Sequence, residues 1–277
     1  MPALLTKIKE LYWFAEAIFF EAYIKLKPVN TATNSHNLEP NLIVSLTSFP
    51  PRFKKLELTI KGLLMQSIKP DLLILWIAED DYFLLTPELH ALQNNFMWFK
   101  IRKCKDIRSY KKLIPTLIEY PNHYIVTADD DVYYPPNWLS GLVAKVTNTK
   151  EIIAHRVHHP KFSYNKILPY RNWHHNYKGN GKTLFATGIG GILYPPNCFQ
   201  NAVLDEDVFM KICASADDIW FFWMARMKGV KVTWSGFDFN TVNWRGTDES
   251  GLAVENVENG KNDQCIKKMI DKYGDVW

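Results

Sequence analysis

Residues 123–131 read HYIVTADDD, and VYYPPNW (132–138) follows directly. Tyr124, Ile125, Val126, Thr127 and Ala128 make a short apolar, β-prone run that reads as a buried strand, and three aspartates stand at its carboxyl end. If strand alternation continues, Asp129 and Asp131 point one way and Asp130 the other. The carboxyl edge of a parallel sheet is where open α/β folds bind their ligands. Two carboxylates there repel unless a cation lies between them, and hard oxygen donors suit Mg²⁺ or Mn²⁺. A solvated acidic turn is the alternative, but such a turn needs no apolar strand aimed at its first residue.

Outward from this segment, strand and helix alternate. NLIVSLTS (41–48), DLLILWIAE (71–79) and MWFKIRK (97–103) read as strands before it, and EIIAHRV (151–157) as one after it. RFKKLELTIKGLLMQS (52–67), SYKKLIPTLIEY (109–120) and PNWLSGLVAKV (136–146) read as helices between them. Helices of this size between strands imply right-handed crossovers, hence an α/β fold with a mostly parallel central sheet flanked by helices. FATGIGGILYPP (185–196) is strand-like but carries Gly188, Gly190 and Gly191, which suggest a bulge or a close backbone approach by a ligand. A helix opens at Asp217 and Asp218, is apolar nearly all round and stops at Gly229 before a strand. CIKKMIDKYG (265–274) reads as a final helix. The stretch 158–182 is long, polar and aromatic, a functional or mobile loop.

The 277 residues can bury one large core, and 47% hydrophobic with 22% charged residues excludes wholesale disorder. A net charge of +4 without a block of Lys and Arg gives no case for nucleic acid, but suits a nucleoside diphosphate or an anionic membrane surface. Aromatics reach 14%, a weak tilt towards sugar handling. Cys104, Cys198, Cys213 and Cys265 are scattered without a CxxC pair, so neither a zinc site nor a disulfide framework is expected, and a reducing cytosol is the simpler setting. No segment has the length of uncharged sequence that a membrane span needs, and the N-terminal apolar stretch makes a poor signal peptide.

Residues 1–27 form one amphipathic helix. Leu4, Ile8, Leu11, Ala15, Ile18 and Ala22, flanked by Leu5, Tyr12, Phe19 and Leu26, define a charge-free sector about 140° wide. The opposite side carries Trp13, Phe20 and Ile24. This helix is expected to pack on its own domain, on a partner chain in a homodimer, or on a membrane surface. Pro28 ends it, 28–40 reads as a polar linker, and 41–277 as the catalytic domain.

The ordered set VSLTSFPPRF (44–53), TADDDVYYPPNW (127–138) and ADDIWFFWMARMKG (216–229) resembles the GT-A glycosyltransferases, in particular bacterial family-2-like enzymes of surface polysaccharide and lipooligosaccharide synthesis. The resemblance spans roughly 41–235. It implies a UDP-sugar donor, a glycan or lipid-linked glycan acceptor, and a Mn²⁺ or Mg²⁺ cofactor. It also implies inverting single displacement, in the cytoplasm or at the inner face of the cytoplasmic membrane. Carried onto this sequence, it points to Thr47, Pro50 and Arg52 around the base, and to Glu79 or Asp80 for uracil or ribose. Arg108, Lys112, Asp129 and Asp130 would lie beside the nucleotide, with Asp129 and Asp131 as metal ligands. Gly190 and Gly191 would lie in an acceptor or donor-sugar loop, and Asp218, with Asp217, would supply the base.

Each assignment has an ordinary alternative. Arg52 suits a helix start, Lys112 a surface charge, and Asp217 with Asp218 a helix N-cap. One cap needs one side chain, which leaves a carboxylate unexplained. His155, His158, His159, His174 and His175 lack the spacing of a zinc site and read as loop or acceptor-side residues. No histidine follows His175 to serve as a further metal ligand, which would leave the metal to the aspartates, diphosphate, water, and Asp238 or Asn240. Two rivals stand beside glycosyl transfer. A nucleotidyltransferase would need a glycine-rich, lysine-bearing loop where SFPPRF stands, and a carbohydrate-binding scaffold would have no use for repelling carboxylates.

Overall fold

The computed structural model describes residues 2–30, 34–181, 183–247 and 260–277, with only the backbone course given for 2–10. Part of the expected 28–40 linker, residues 31–33, lies outside the described residues, as do the side chains of Leu4, Leu5 and Ile8.

Seven strands form the central sheet: β1 (Leu42–Thr47), β2 (Leu72–Ala78), β3 (Phe99–Cys104), β4 (Tyr124–Thr127), β5 (Glu151–Ala154), β6 (Ile192–Tyr194) and β7 (Lys231–Trp234). Their spatial order is β7-β5-β6-β4-β1-β2-β3. β1 lies parallel between β2 and β4, β3 is parallel to β2, and β7 is parallel to β5. Only β6 runs antiparallel, wedged between β4 and β5. The carboxyl ends of β1 and β4 therefore lie side by side, with Ser45 opposite Thr127.

Alternation along the strands supplies two cores, one on each face. Leu42, Val44 and Leu46 of β1, with Tyr124 and Val126 of β4, pack under α2 (Phe53–Leu64), α3 (Pro87–Asn95) and α5 (Trp138–Val143). Ile125 and Ile152 turn to the other face, into a core with α7 (Asp217–Met227) and α8 (Lys261–Tyr273). Residues 219–225 of α7 are all buried there, which is why IWFFWMA has no polar face: Trp220 and Trp223 are fully buried. The helix expected over 109–120 divides into a 3-10 turn (Arg108–Lys112) and α4 (Ile114–Glu119), because Pro115 cannot donate to the turn before it. The helix α3, between β2 and β3, has too weak an apolar pattern to stand out in the sequence.

One expectation is corrected here. Cys213, at the end of α6 (Glu206–Ile212), is joined to Cys265 of α8 by a disulfide across 52 residues. A pair that far apart leaves no spacing signal, and α8 meets α6 and α7 only in the folded chain. The inference of a reducing setting from scattered cysteines loses its basis.

The N-terminal helix α1 (Pro2–Leu26) packs on its own domain, one of the alternatives the sequence left open, by the face opposite to the charge-free sector. Ala17, Glu21 and Ile24 are buried and Phe20 partly so, against Leu58, Tyr133 and Trp244. Buried Glu21 fixes the contact through Lys55 of α2 (2.8 Å) and Arg245 (3.0 Å). Burial alone would raise its pKa, but Arg245 and Lys55 outweigh it and hold it at about 2. The charge-free sector stays in solvent: Leu11, Tyr12, Ile18, Phe19 and Leu26 are all exposed. Among the described residues no helix is long and apolar enough to cross a membrane.

Candidate active site

β4 stops at Thr127, and the alternation of side chains stops with it. Asp130 and Asp131 both turn to Arg52, whose guanidinium lies 2.5 Å from Asp130 Oδ1 and 3.0 Å from Asp131 Oδ2. Asp129 faces Lys112 instead, at 3.3 Å. The expected sorting, Asp129 with Asp131 and Asp130 apart, is thus replaced by a turn in which Asp129 stands alone.

That turn is pinned from all sides. Asp129 N donates to the buried Tyr134 hydroxyl (2.7 Å), and Ser48 Oγ donates to Asp130 Oδ2 (2.5 Å). Thr59 Oγ1 of α2 donates to the Asp130 carbonyl (2.9 Å), Trp244 N donates to the Asp131 carbonyl (2.8 Å), and Trp244 Nε1 donates to Thr59 Oγ1 (2.7 Å).

Lys112 is buried, and its carbonyl is held by Ser45 Oγ of β1 (2.7 Å). Its ammonium reaches Asp129 on one side and Asp217 Oδ2, at 3.1 Å, on the other. Asp217 Oδ2 has no aligned hydrogen bond, so this second contact is one of charge. Ala216, not an aspartate, is the N-cap of α7, and no side chain caps it. The helix-cap account of the pair therefore fails. Asp218 instead accepts from Gly188 N through Oδ2 (3.1 Å), while its Oδ1 is buried without a partner.

Gly188 marks where the two acidic clusters meet. A methyl group there would stand 2.8 Å from Lys112 Nζ, 3.3 Å from Asp218 Oδ1 and 3.7 Å from Asp129 Oδ1. The sequence marked Gly188 for a bulge or close approach but not as the point where the two clusters meet; it stands in the 3-10 turn Gly188–Gly190. Sequence reasoning missed Ser45, Ser48, Thr59 and Tyr134, polar groups in apolar elements that position the acids.

The electrostatics follow from crowding. Burial, then the carboxylate of Asp217, push Asp218 up to about 7 against the pull of Lys112. Burial and Asp130 likewise push Asp131 up to about 7 against Arg52. The N-terminus of α7 favours ionised Asp218, but desolvation and like charge win here. Burial would lower Lys112, but Asp129, Asp217 and Asp218 hold it well above its ordinary value, so it stays charged.

The other sequence candidates lie around this centre. Thr47 ends β1, with its hydroxyl donated to the Trp76 carbonyl (2.8 Å), and Pro50 opens the short turn Pro50–Arg52. Glu79 and Asp80 stand exposed at the carboxyl end of β2, opening the turn Glu79–Leu84. Arg108 is exposed at the rim, its φ of 56° supported by a bond from its N–H to Asp106 Oδ1 (3.0 Å). Gly190 and Gly191 are approached by protein rather than presenting open backbone. Gly190 lies against Arg156, and Gly191, at φ +93°, lies under the Trp138 ring. His158 and His175 bond each other (3.1 Å), and Asp238 pairs with Lys178 away from the aspartates.

The carboxylates of the centre are hard oxygen donors, the kind a divalent cation takes, and the two orphaned oxygens among them are those of Asp217 and Asp218 rather than of Asp129 or Asp131. Asp129, Asp130, Asp131, Asp217 and Asp218 outnumber the basic groups that feel them, Arg52, Lys112 and Arg156, and two carboxylate oxygens are orphaned. Among the described residues no three His, Cys, Asp or Glu side chains are arranged to hold a metal. The described side chains therefore do not by themselves form a closed metal site.

No protein-family model matches the chain, and neither does any curated protein sequence. Among solved structures, it is similar to the mannosyltransferase PcManGT from Pyrobaculum calidifontis in complex with GDP-Man and Mn²⁺. That match has a TM-score of 0.50 and 11% identity, over 92% of this chain and 73% of that one. S. aureus TarS 1–349 matches with a TM-score of 0.45 and 11% identity, over 84% of this chain and 72% of that one. The inositol-1-phosphate CTP transferase from T. maritima matches at 0.44 and 10%, over 82% and 98%. With the strand order above, the likeness to the mannosyltransferase shows a GT-A type nucleotide-diphospho-sugar transferase fold.

Proposed function

We propose that the chain is a glycosyltransferase that moves one sugar from a nucleotide-diphosphate donor, a UDP-sugar, to a glycan hydroxyl. The observation carrying this reading is the meeting of Asp129, Lys112, Asp217 and Asp218 around Gly188, at the carboxyl ends of β1 and β4. Lys112 supplies a fixed positive charge to the departing diphosphate. Asp218, its Oδ2 held by Gly188 N, takes the acceptor proton on Oδ1 as the hydroxyl attacks the anomeric carbon in a single displacement. Asp129 and Asp131 would hold Mn²⁺ or Mg²⁺, which would neutralise charge on the leaving group. Arg52 positions Asp131 rather than reading the base, while Glu79 and Asp80 remain free at the rim for the nucleoside. Nucleotidyl transfer is disfavoured by the loop after β1: its one basic residue, Arg52, is engaged by Asp130 and Asp131. Calorimetry tests the reading. UDP should bind at least tenfold more tightly with Mn²⁺ than with chelator, and Asp131→Ala should abolish that gain. Equal affinity in both conditions removes the metal from this account.

The exposed face of α1 supports peripheral contact with an anionic membrane, because Lys25 and Lys27 edge an apolar stripe free of acids. In vesicle sedimentation the protein should pellet with phosphatidylglycerol-containing vesicles, and Phe19→Glu should leave it in the supernatant. Equal recovery of both proteins in the supernatant would leave this face to a partner chain.

A further inference from the structure

We infer that α1 is a wall of the acceptor-binding site, so that the N-terminal helix belongs to the substrate machinery; this rests on the glycosyl-transfer reading. A cavity of about 350 Å³ lies beside the carboxylate centre, in the size range of small-ligand sites. One wall is Trp13 and Glu16 of α1, and another is Gly190, two residues past Gly188. Between them lie Arg156, Asn176, Asp238 and Asn240. Arg156 and Gly190 stand between the cavity and the centre: Arg156 lines the cavity, packs on Gly190 and feels the charges of Asp218 and Asp129.

Three observations fix the ligand class as a saccharide. First, the lining mixes flat aromatic faces (Trp13, Tyr177, Trp234) with carboxylate, amide and guanidinium groups, the combination that meets both the apolar face and the hydroxyls of a sugar ring. Second, Arg156 lines the cavity, spends one N–H on Asn176 and has no carboxylate partner among the described residues. Third, Trp13 lies on the docked stripe with Ala17, Phe20 and Ile24, at helical spacings of four, three and four, yet is 62% exposed. It lines the cavity, on a different side of the helix from the apolar face that carries Leu11 and Phe19. An acceptor lying against Trp13 would present a hydroxyl past Gly190 to Asp218.

The test uses the full-length protein with its nucleotide-sugar donor, a panel of oligosaccharide acceptors and two variants. Trp13→Ala should raise the acceptor KM by about tenfold or more while leaving the donor KM as it is. Leu11→Ala, on the same helix but outside the cavity, should change neither. Loss of one aromatic platform without a shift in circular dichroism would exclude unfolding of α1. An unchanged acceptor KM in Trp13→Ala, with transfer intact, overturns the inference and spares the glycosyl-transfer reading. Absence of any donor turnover in the unmodified protein overturns both.

Discussion

Asp218→Asn is expected to lower turnover by roughly two to four orders of magnitude, the usual general-base contribution, and at the same time to stabilise the protein above neutral pH. The two effects share one origin. Asp218 is desolvated and set beside Asp217, so its folded pKa of about 7 lies well above the ordinary carboxylate value. A raised pKa means that the group's contribution to stability is full below about pH 4 and is lost as pH rises through about 7. An uncharged Asn keeps the oxygen that Gly188 N needs and escapes that loss, a gain on the order of a few kcal/mol at pH 8 and near zero at pH 4. In the unmodified enzyme, kcat/KM should climb with pH and level off above about 7, as Asp218 becomes able to accept a proton. The checks are urea denaturation at pH 4 and pH 8 and single-variant rates. A variant that is less stable at pH 8 yet keeps its activity would make Asp218 a structural residue.

Lys112→Met should have the largest cost to folding. The ammonium is buried between Asp129 and Asp217 and close to Asp218, and its removal leaves three carboxylates without their nearest cation. Breaking such a buried arrangement costs about 3–5 kcal/mol. The loss should be greatest at pH 8, where Asp218 is ionised, and should shrink at pH 4, where Asp218, with its pKa of about 7, holds its proton. Donor affinity should fall alongside, since the same charge faces the diphosphate. Denaturation at the two pH values distinguishes this from a packing defect, which would cost the same at both.

The parts legible in the sequence were those that periodicity reports. The apolar runs of β1, β2 and β4, and the helix opened by Asp217, stand where alternation and length placed them. Strand alternation failed at the aspartates because β4 ends at Thr127, and beyond a strand end the turn, not the pleat, aims the side chains. The wheel of α1 left the docking face undecided for a related reason. A helical wheel finds the most apolar face, whereas docking was decided by the pairing of Glu21 with Lys55 and Arg245 and by the fit of Phe20 on Tyr133. Residues whose meaning depends on a partner distant in sequence were not legible. Gly188 gains its role only when Lys112, Asp129 and Asp218 arrive around it, and Cys213 only when α8 brings Cys265. Local pattern reveals elements; a site is made by contacts between elements.

The central claim is that a nucleotide sugar is bound and cleaved at the carboxylate centre. It is tested most directly by incubating the protein with Mn²⁺ and individual nucleotide sugars, with and without glycan acceptors, and measuring released nucleoside diphosphate. A parallel arm offers nucleoside triphosphates with sugar 1-phosphates and measures pyrophosphate. The account predicts release of UDP from at least one UDP-sugar, stimulated by acceptor, abolished by chelator and reduced at least a hundredfold in Asp218→Asn. Pyrophosphate release with no nucleoside diphosphate from any nucleotide sugar would contradict it and make the chain a nucleotidyltransferase.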